Sequence, residues 1–284
     1  MDFVVGSTGR LGKTIVHFLS PSQAVAVEQS TYASWWHPDG ADAASFYFEK
    51  KKKNSENGVV YVAAGVLDPS RVYDEHHRIN FLLPKNIIEG ANRVGLRTVT
   101  FGTVMEKVVG TETSNPYILS KTKLGHLVSE CLSLENPPLH IRMHTLYGVG
   151  LPSPFMFLGQ ILKSLLNQTP FNMSPGNQLR EYHHLHDEIK AIHLLVTAQV
   201  KGAIELSHGE AVSLKEIAHF VFKYFDCLHL LNIGASTAPI KENYNFRFQR
   251  PDFLTTIAFR ETLPALVDYL CLCKQIHGEL TCLS

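Results

Sequence analysis

Apolar residues in the first half of the chain follow two alternating periods: short β-rich runs, and longer stretches with helical spacing. "DFVV" (residues 2–5), "AVAVE" (24–28), "VVYVAAG" (59–65), "RTVTFG" (97–102) and "LHIRMHTLYG" (139–148) read as strands, with a weaker one around residues 32–36. Between them "GRLGKTIVHFLS", "LPKNIIEGANRVG" (83–95) and "PYILSKTKLGHLVSECLSL" carry apolar positions at helical spacing. Strands alternating with helices are the mark of βαβ units, which place a parallel sheet between covering helices. After about residue 150 the regularity ends, and prolines and glycines in "GVGLPSPF" and "TPFNMSPGN" interrupt short helical patterns. The pattern predicts an α/β fold with one domain over residues 1–150 and a smaller, irregular C-terminal lobe over 151–284, with room in that lobe to return strands or helices to the first domain.

Composition narrows the class. Hydrophobic residues are 45% and charged residues 18%, with 26 basic against 26 acidic side chains. That balance describes a folded globular chain and gives nucleic acid no electrostatic foothold. The N-terminus enters an apolar run at once, and no stretch approaches the roughly 18 apolar residues of a membrane span. A cytosolic, cytoplasmic protein with neither membrane nor nucleic-acid partner is expected. Five scattered cysteines, Cys131, Cys227, Cys271, Cys273 and Cys282, fit reduced thiols better than a disulfide framework. "CLC" at 271–273 has no second ligand pair after it and reads as helix, not as a metal site. "EKKKKNSEN" (49–57) mixes basic, acidic and polar residues like a solvated helix end.

Two motifs carry candidate chemistry. In "VVGSTGRLGKTIV", Gly6, Gly9 and Gly12 follow a strand and open a helix, with Thr8, Arg10 and Leu11 among them. Such a loop turns tightly, admits a pyrophosphate close to the backbone and aims helix N-terminal amides at its charge. The G-x-x-G-x-x-G spacing is one residue from the commonest dinucleotide fingerprint, and a purely structural strand-to-helix turn is the alternative. Glu28, ending the second strand, suits the ribose hydroxyls of NAD, whereas Arg10 suits the 2′-phosphate of NADP. The cofactor expected is therefore NAD(P), with NAD slightly ahead.

The second motif is "SNPYILSKTKLG" (114–125), where Pro116 suits a first helical turn and Ser114 or Asn115 a cap. Tyr117 and Lys121 then lie one turn apart on one face. An ammonium beside a phenol favours the phenolate, which would lower the tyrosine's pKa. The Y-x-x-x-K spacing alone occurs often by chance.

Loop and pair together resemble the extended short-chain dehydrogenase/reductase superfamily, in its NAD-dependent epimerase/dehydratase branch acting on nucleotide sugars. The resemblance covers nearly the whole chain. "GSTGRLG" is similar to the family's cofactor loop, "VAAG" (62–65) to its strand beside the cofactor, and "YILSK" to its catalytic helix. "IRMHTLYGVG" (141–150) and "REYHHLHD" (180–187) match the segments that follow. It implies a Rossmann-like doubly wound sheet, with Thr103 orienting the reacting sugar oxygen, Tyr117 as acid/base and Lys121 tuning it and holding the nicotinamide ribose. It further implies Ala63, Ala64 and Gly65 beside the cofactor and Asn80 at the helix next to it, where a plain helix cap is the alternative.

On the substrate side the resemblance points to Arg180 and Arg250 for a diphosphate, whose oxygens suit a planar guanidinium. Surface ion pairs are the alternative for both. Thr145 stands where the family often has an asparagine touching the sugar nucleotide. His183, His184 and His186 beside Asp187 invite a metal, but His184 and Asp187 fall on ordinary family positions and the chemistry needs none, so no metal is expected. His76 and His77 read as exposed helix residues, and Trp35 and Trp36 as core packing, with a place near adenine as the alternative. Val104 and Met105 replace an Asp-Glu pair used for sugar dehydration and cannot transfer protons. What remains is 4-keto-sugar reduction, favoured by the chain's brevity, with a 4-epimerase holding NAD tightly as alternative. A non-catalytic NAD(P)-binding regulator and a dehydrogenase of a nucleotide-free small molecule are further alternatives. A homodimer pairing the Tyr117 helices is also implied.

Overall fold

The computed structural model of the chain describes residues 1–20, 23–52, 58–68 and 70–282. They divide into two units, Met1–Met143 with Ile189–Leu206, and His144–Glu188 with Ser207–Ser284. In chain order the first unit contains β1 (Asp2–Val5), α1 (Arg10–Leu19), β2 (Ala24–Val27), α2 (Gln29–Tyr32), α3 (Gly40–Lys51), β3 (Val59–Val62), α4 (Tyr73–His77), α5 (Leu83–Arg93), β4 (Arg97–Thr103), α6 (Met105–Val108), α7 (Pro116–Glu130) and β5 (Leu139–Met143). The second unit opens with β6 (Thr145–Tyr147), α8 (Phe157–Asn167), β7 (Phe171–Met173), β8 (Leu179–Arg180) and β9 (Tyr182–His184). Helix α9 (Leu185–Thr197) passes from the second unit to the first at Ile189, and β10 (Gly202–Glu205) follows it there. The second unit then ends with β11 (Val212–Ser213), α10 (Leu214–Tyr224), β12 (Leu231–Ile233) and α11 (Thr262–Cys282).

The first unit is a Rossmann-like parallel sheet in the order β10-β5-β4-β3-β1-β2. Every residue of β3 and β4 is buried, as a sheet covered on both faces requires. On one face Phe3, Val5 and Val60 meet Phe48 of α3 and Ile87 of α5. Ile88 of α5 joins Leu124 and Val128 of α7 in an adjoining cluster. The second unit has its own core, in which Ile161, Leu165, Phe171, Phe222, Leu266 and Leu270 interlock α8, β7, α10 and α11. Among the described residues no helix is long and apolar enough to cross a membrane.

Four local expectations change. The weak strand around 32–36 is absent: Tyr32 ends α2, and residues 33–36 are turn. Their apolar character comes from packing, since Trp35 is buried edge-on to Phe48 with centroids 5.6 Å apart, while Trp36 lies under the Arg78 guanidinium at 5.0 Å. The run 139–148 is two strands, because at His144 the chain leaves the main sheet and β6 pairs instead with β9. His76 is fully buried, with Nε2 3.0 Å from the Asp68 carbonyl and Nδ1 3.2 Å from Asn80 Nδ2; His77 is half-buried, its ring stacked on Phe81. Helix α5 does not begin afresh at Leu83 but continues from α4 through one π-helical turn, Arg78–Leu82. At the lysine run, Lys50 and Lys51 end α3 and are exposed, and residues 53–57 lie outside the described residues.

Candidate active site

The loop after β1 is glycine-rich for steric reasons. Gly6 has φ +83°, and a Cβ there would stand 2.3 Å from the Ala64 nitrogen. At Gly12 a Cβ would come within 2.2 Å of the Gly6 carbonyl oxygen, so both positions exclude any side chain. Gly9 differs, since a Cβ there would meet nothing nearer than the Gly6 oxygen at 3.5 Å. It caps α1 in an extended conformation with no side-chain hydrogen bond, which leaves the positive end of the helix to an anion. Thr8 is exposed, Arg10 and Leu11 are half-buried on the first turn, and the Tyr32 hydroxyl is hydrogen-bonded to the Gly6 backbone. The register Val5↔Val27 sets Glu28 level with the loop, where its carboxylate is exposed and accepts from Ser30 Oγ at 3.4 Å. These features fit a dinucleotide pyrophosphate and its adenosine ribose.

Beyond β3 the chain passes Ala63, whose N–H donates to the Val5 carbonyl at 2.8 Å, then Ala64 and Gly65. Asn80 fastens this stretch: its Oδ1 accepts from Val66 N at 2.8 Å, and its Nδ2 donates to Val66 O at 2.9 Å and to Ser120 Oγ of α7 at 3.2 Å. Asn80 lies inside the π-turn and caps no helix. A Cβ on Gly65 would stand 3.2 Å from Asn80 Oδ1 and 3.8 Å from Lys121 Nζ. The residues expected beside the cofactor and the lysine expected to hold it thus meet at one place.

Helix α7 starts where the sequence places it, with Asn115 rather than Ser114 as cap, its Oδ1 accepting from Tyr117 N at 3.0 Å and Ile118 N at 3.4 Å. Tyr117 is half-buried, its ring 6.3 Å edge-on from that of His76. Lys121 is buried and donates to the Phe101 carbonyl of β4 at 2.7 Å. Thr103 ends β4, its Oγ1 accepting from Met105 N at 3.3 Å and its own N–H donating to Glu106 Oε1 at 2.8 Å.

Glu106 is the residue the sequence reading missed. Its carboxylate is buried beside Thr103, 3.2 Å from His140 Nε2 and 2.9 Å from Arg142 Nε, and Arg142 also donates to Glu205 at 2.8 Å. The space comes from two glycines, since a Cβ on Gly102 would stand 2.1 Å from Glu106 Oε1 and one on Gly125 2.7 Å from Oε2. Burial alone would raise the carboxyl's pKa, but His140, Arg142 and the Thr103 amide together hold it below its ordinary value. Burial also lowers the Lys121 pKa to about 8, and Glu106 opposes that fall. Tyr117 does not show the lowering expected from Lys121: burial pushes the phenol up, and the Glu106 charge adds to it.

The residues expected on the substrate side all fall in the second unit. Thr145 opens β6, and its N–H donates to the Glu181 carbonyl at 3.2 Å. Arg180 in β8 donates to the Leu179 carbonyl at 2.9 Å and pairs with Glu242. Arg250 donates to the carbonyls of Leu254 and Ile257 at 2.5 Å each and lies over the Phe259 ring. Asp187 is engaged by Arg260 at 2.6 Å, and the His184 ring packs edge-on to Tyr147.

Residues 3–206 match the family described as NAD dependent epimerase/dehydratase. No curated protein matches the chain. Solved structures that share the fold include MoeE5 in complex with UDP-glucose and NAD, 19% identical, covering 97% of this chain and 99% of its own with TM-score 0.74. The UDP-glucuronic acid 4-epimerase from Bacillus cereus, in complex with UDP-glucuronic acid and NAD, is 16% identical over 97% of this chain and 100% of its own, TM-score 0.75. The Bordetella bronchiseptica enzyme WbmG in complex with NAD and UDP is 15% identical over 97% and 95%, TM-score 0.76.

Proposed function

Because the chain belongs to the NAD dependent epimerase/dehydratase family, we propose that it is an NAD(P)-dependent oxidoreductase of a nucleotide-activated sugar, reacting at a single sugar carbon. One arrangement carries the reading: Thr103, Tyr117 and Lys121 stand on β4 and α7 of the unit that holds the glycine loop, and Lys121 lies against Gly65 and Asn80. NAD(P), when bound, supplies the hydride acceptor or donor. Thr103 orients the sugar oxygen through its hydroxyl, Tyr117 exchanges that oxygen's proton, and Lys121 keeps a positive charge near both. Glu106 fixes the Thr103 backbone and sustains the Lys121 charge. Val104 and Met105 hold no ionisable group at the start of α6, which argues against dehydration. Glu28, exposed and level with the loop, favours NAD.

Reduction of a 4-keto sugar and 4-epimerisation stand level as readings of that reaction. The chain's brevity and the short interval from Glu28 to Val59 favour reduction, and the likeness in fold to a UDP-glucuronic acid 4-epimerase over 97% of this chain favours epimerisation. Arg180 and Arg250 would serve the diphosphate only if they exchange their present Glu242 and carbonyl partners for it. The test incubates the protein with UDP-sugars and 4-keto UDP-sugars, with and without added NAD(P)H. Turnover without external cofactor indicates epimerisation, and stoichiometric NAD(P)H oxidation indicates reduction. Tyr117→Phe is expected to lower kcat by about 10²–10⁴-fold with cofactor still bound. Full activity in that variant would overturn the proposal.

A further inference from the structure

The second unit buries a cluster of ionisable side chains that the reaction above does not use. Its members are His144 just before β6, Glu181 just before β9, His183 within β9, Glu188 on the first turn of α9, and His208. Side-chain exposure is 4% for His144 and zero for Glu181 and His183. Buried polar atoms normally find partners, yet His144 Nε2 and Glu188 Oε1 have no hydrogen-bond partner among the described residues.

The β6–β9 register, Thr145↔Tyr182, brings His144 beside Glu181. His144 Nε2 stands 3.6 Å from Glu181 Oε1, and His183 Nε2 3.1 Å from Glu181 Oε2. The three ligand atoms all lie within 4.8 Å of one another. Ligands at about 2.0–2.2 Å from one tetrahedral zinc stand roughly 3.3–3.5 Å apart, so small side-chain movements close the set. His183 also has the outer partner typical of a metal-ligating histidine, its Nδ1 lying 2.7 Å from Glu188 Oε2. The Glu181 carboxylate is oriented by Ser207 Oγ at 2.8 Å and His208 N at 2.9 Å. Two imidazoles and one carboxylate suit zinc better than calcium or magnesium, which take oxygen ligands. Phe248 packs against His144 and Phe259 against His183, walling the cluster with aromatic rings.

We propose that His144, Glu181 and His183 bind one zinc ion in the second unit, with water as fourth ligand and Glu188 as a positioning residue for His183. The competing occupant is a proton. Burial disfavours a charged His183, but Glu188 and Glu181 outweigh it and raise the pKa to about 9, giving a self-sufficient Glu-imidazolium-Glu triad.

The test strips full-length protein, purified without metal-affinity resin, with a chelator and titrates it with zinc chloride. The expected result is saturable binding of one zinc per chain, with a rise in Tm. X-ray absorption at the zinc edge should show a nitrogen and oxygen shell with two imidazoles. His144→Gln leaves the His183 triad intact and should weaken binding tenfold or more, and Glu188→Gln should weaken it by about 10–100-fold. If either variant fails to fold, the wild-type absorption spectrum still decides, and a sulfur-containing shell would refute the site. No saturable binding to stripped, folded protein, or binding that His144→Gln leaves unchanged, would equally overturn it.

Discussion

Glu106→Gln tests whether the buried carboxylate beside the proposed catalytic residues does what its position implies. Glutamine keeps the size and an oxygen for the Thr103 N–H, now 2.8 Å from Oε1, but it removes the charge that Arg142 faces at 2.9 Å. Charge-assisted hydrogen bonds contribute about 1 kcal/mol more than neutral ones, and breaking a buried pair costs about 3–5 kcal/mol. Arg142 retains Glu205 at 2.8 Å, which places the loss near about 2–3 kcal/mol. For a chain of 284 residues that corresponds to a fall in Tm of roughly 3–5 °C. The substitution also leaves burial unopposed at Lys121, so its pKa drops below the present value of about 8. Between that value and the ordinary 10.5 the unfolded chain holds the extra proton, so this group adds stability as pH rises through the window. In the variant that gain begins at lower pH, and the high-pH limb of kcat/KM moves down with it. Circular-dichroism melts from pH 6 to pH 10, with pH-rate profiles on the same protein, measure both effects. A Tm within about 1 °C of wild type together with an unmoved high-pH limb would refute the reasoning.

The remaining expectations concern the loop and its supports. Gly12→Ala places a Cβ 2.2 Å from the Gly6 carbonyl, and NADH fluorescence titration should show binding weakened tenfold or more; unchanged affinity would mean that the cofactor lies elsewhere. Glu28→Ser should move the NAD-to-NADP preference toward NADP, read as the ratio of the two Kd values, and an unmoved ratio would remove Glu28 from ribose recognition. Asn80→Leu leaves the Val66 N–H and carbonyl without their side-chain partner and should cost about 2–4 kcal/mol in urea unfolding. A loss below about 0.5 kcal/mol would show that solvent replaces those bonds.

What was legible in the sequence is what local chemistry decides. The unbroken apolar run of β3, the β-rich residues of β4, the glycines that a strand-to-helix turn demands, and the Asn115-Pro116 start of α7 each depend on a few neighbouring residues. What was missed depends on partners far along the chain. "DEHHRIN" is polar in composition, yet the helix there turns His76 and Asn80 inward onto the Asp68 and Val66 backbones. Glu106 looks like a surface residue of a short helix until β5 brings His140 and Arg142 beside it and Gly102 and Gly125 open the space. His183 and Glu181 stand in the polar run "REYHHLHD", and the β6–β9 pairing buries them against His144. In both places a buried charge survives because several separate segments converge to satisfy it. A period-counting reading cannot see such convergence, since each contributing residue breaks the apolar pattern of its own element. Polar residues inside otherwise apolar strands, such as His140 and Arg142 in β5, are therefore the positions at which a sequence most directly advertises a buried partner, and in this chain they lead to Glu106 and from there to Thr103, Tyr117 and Lys121.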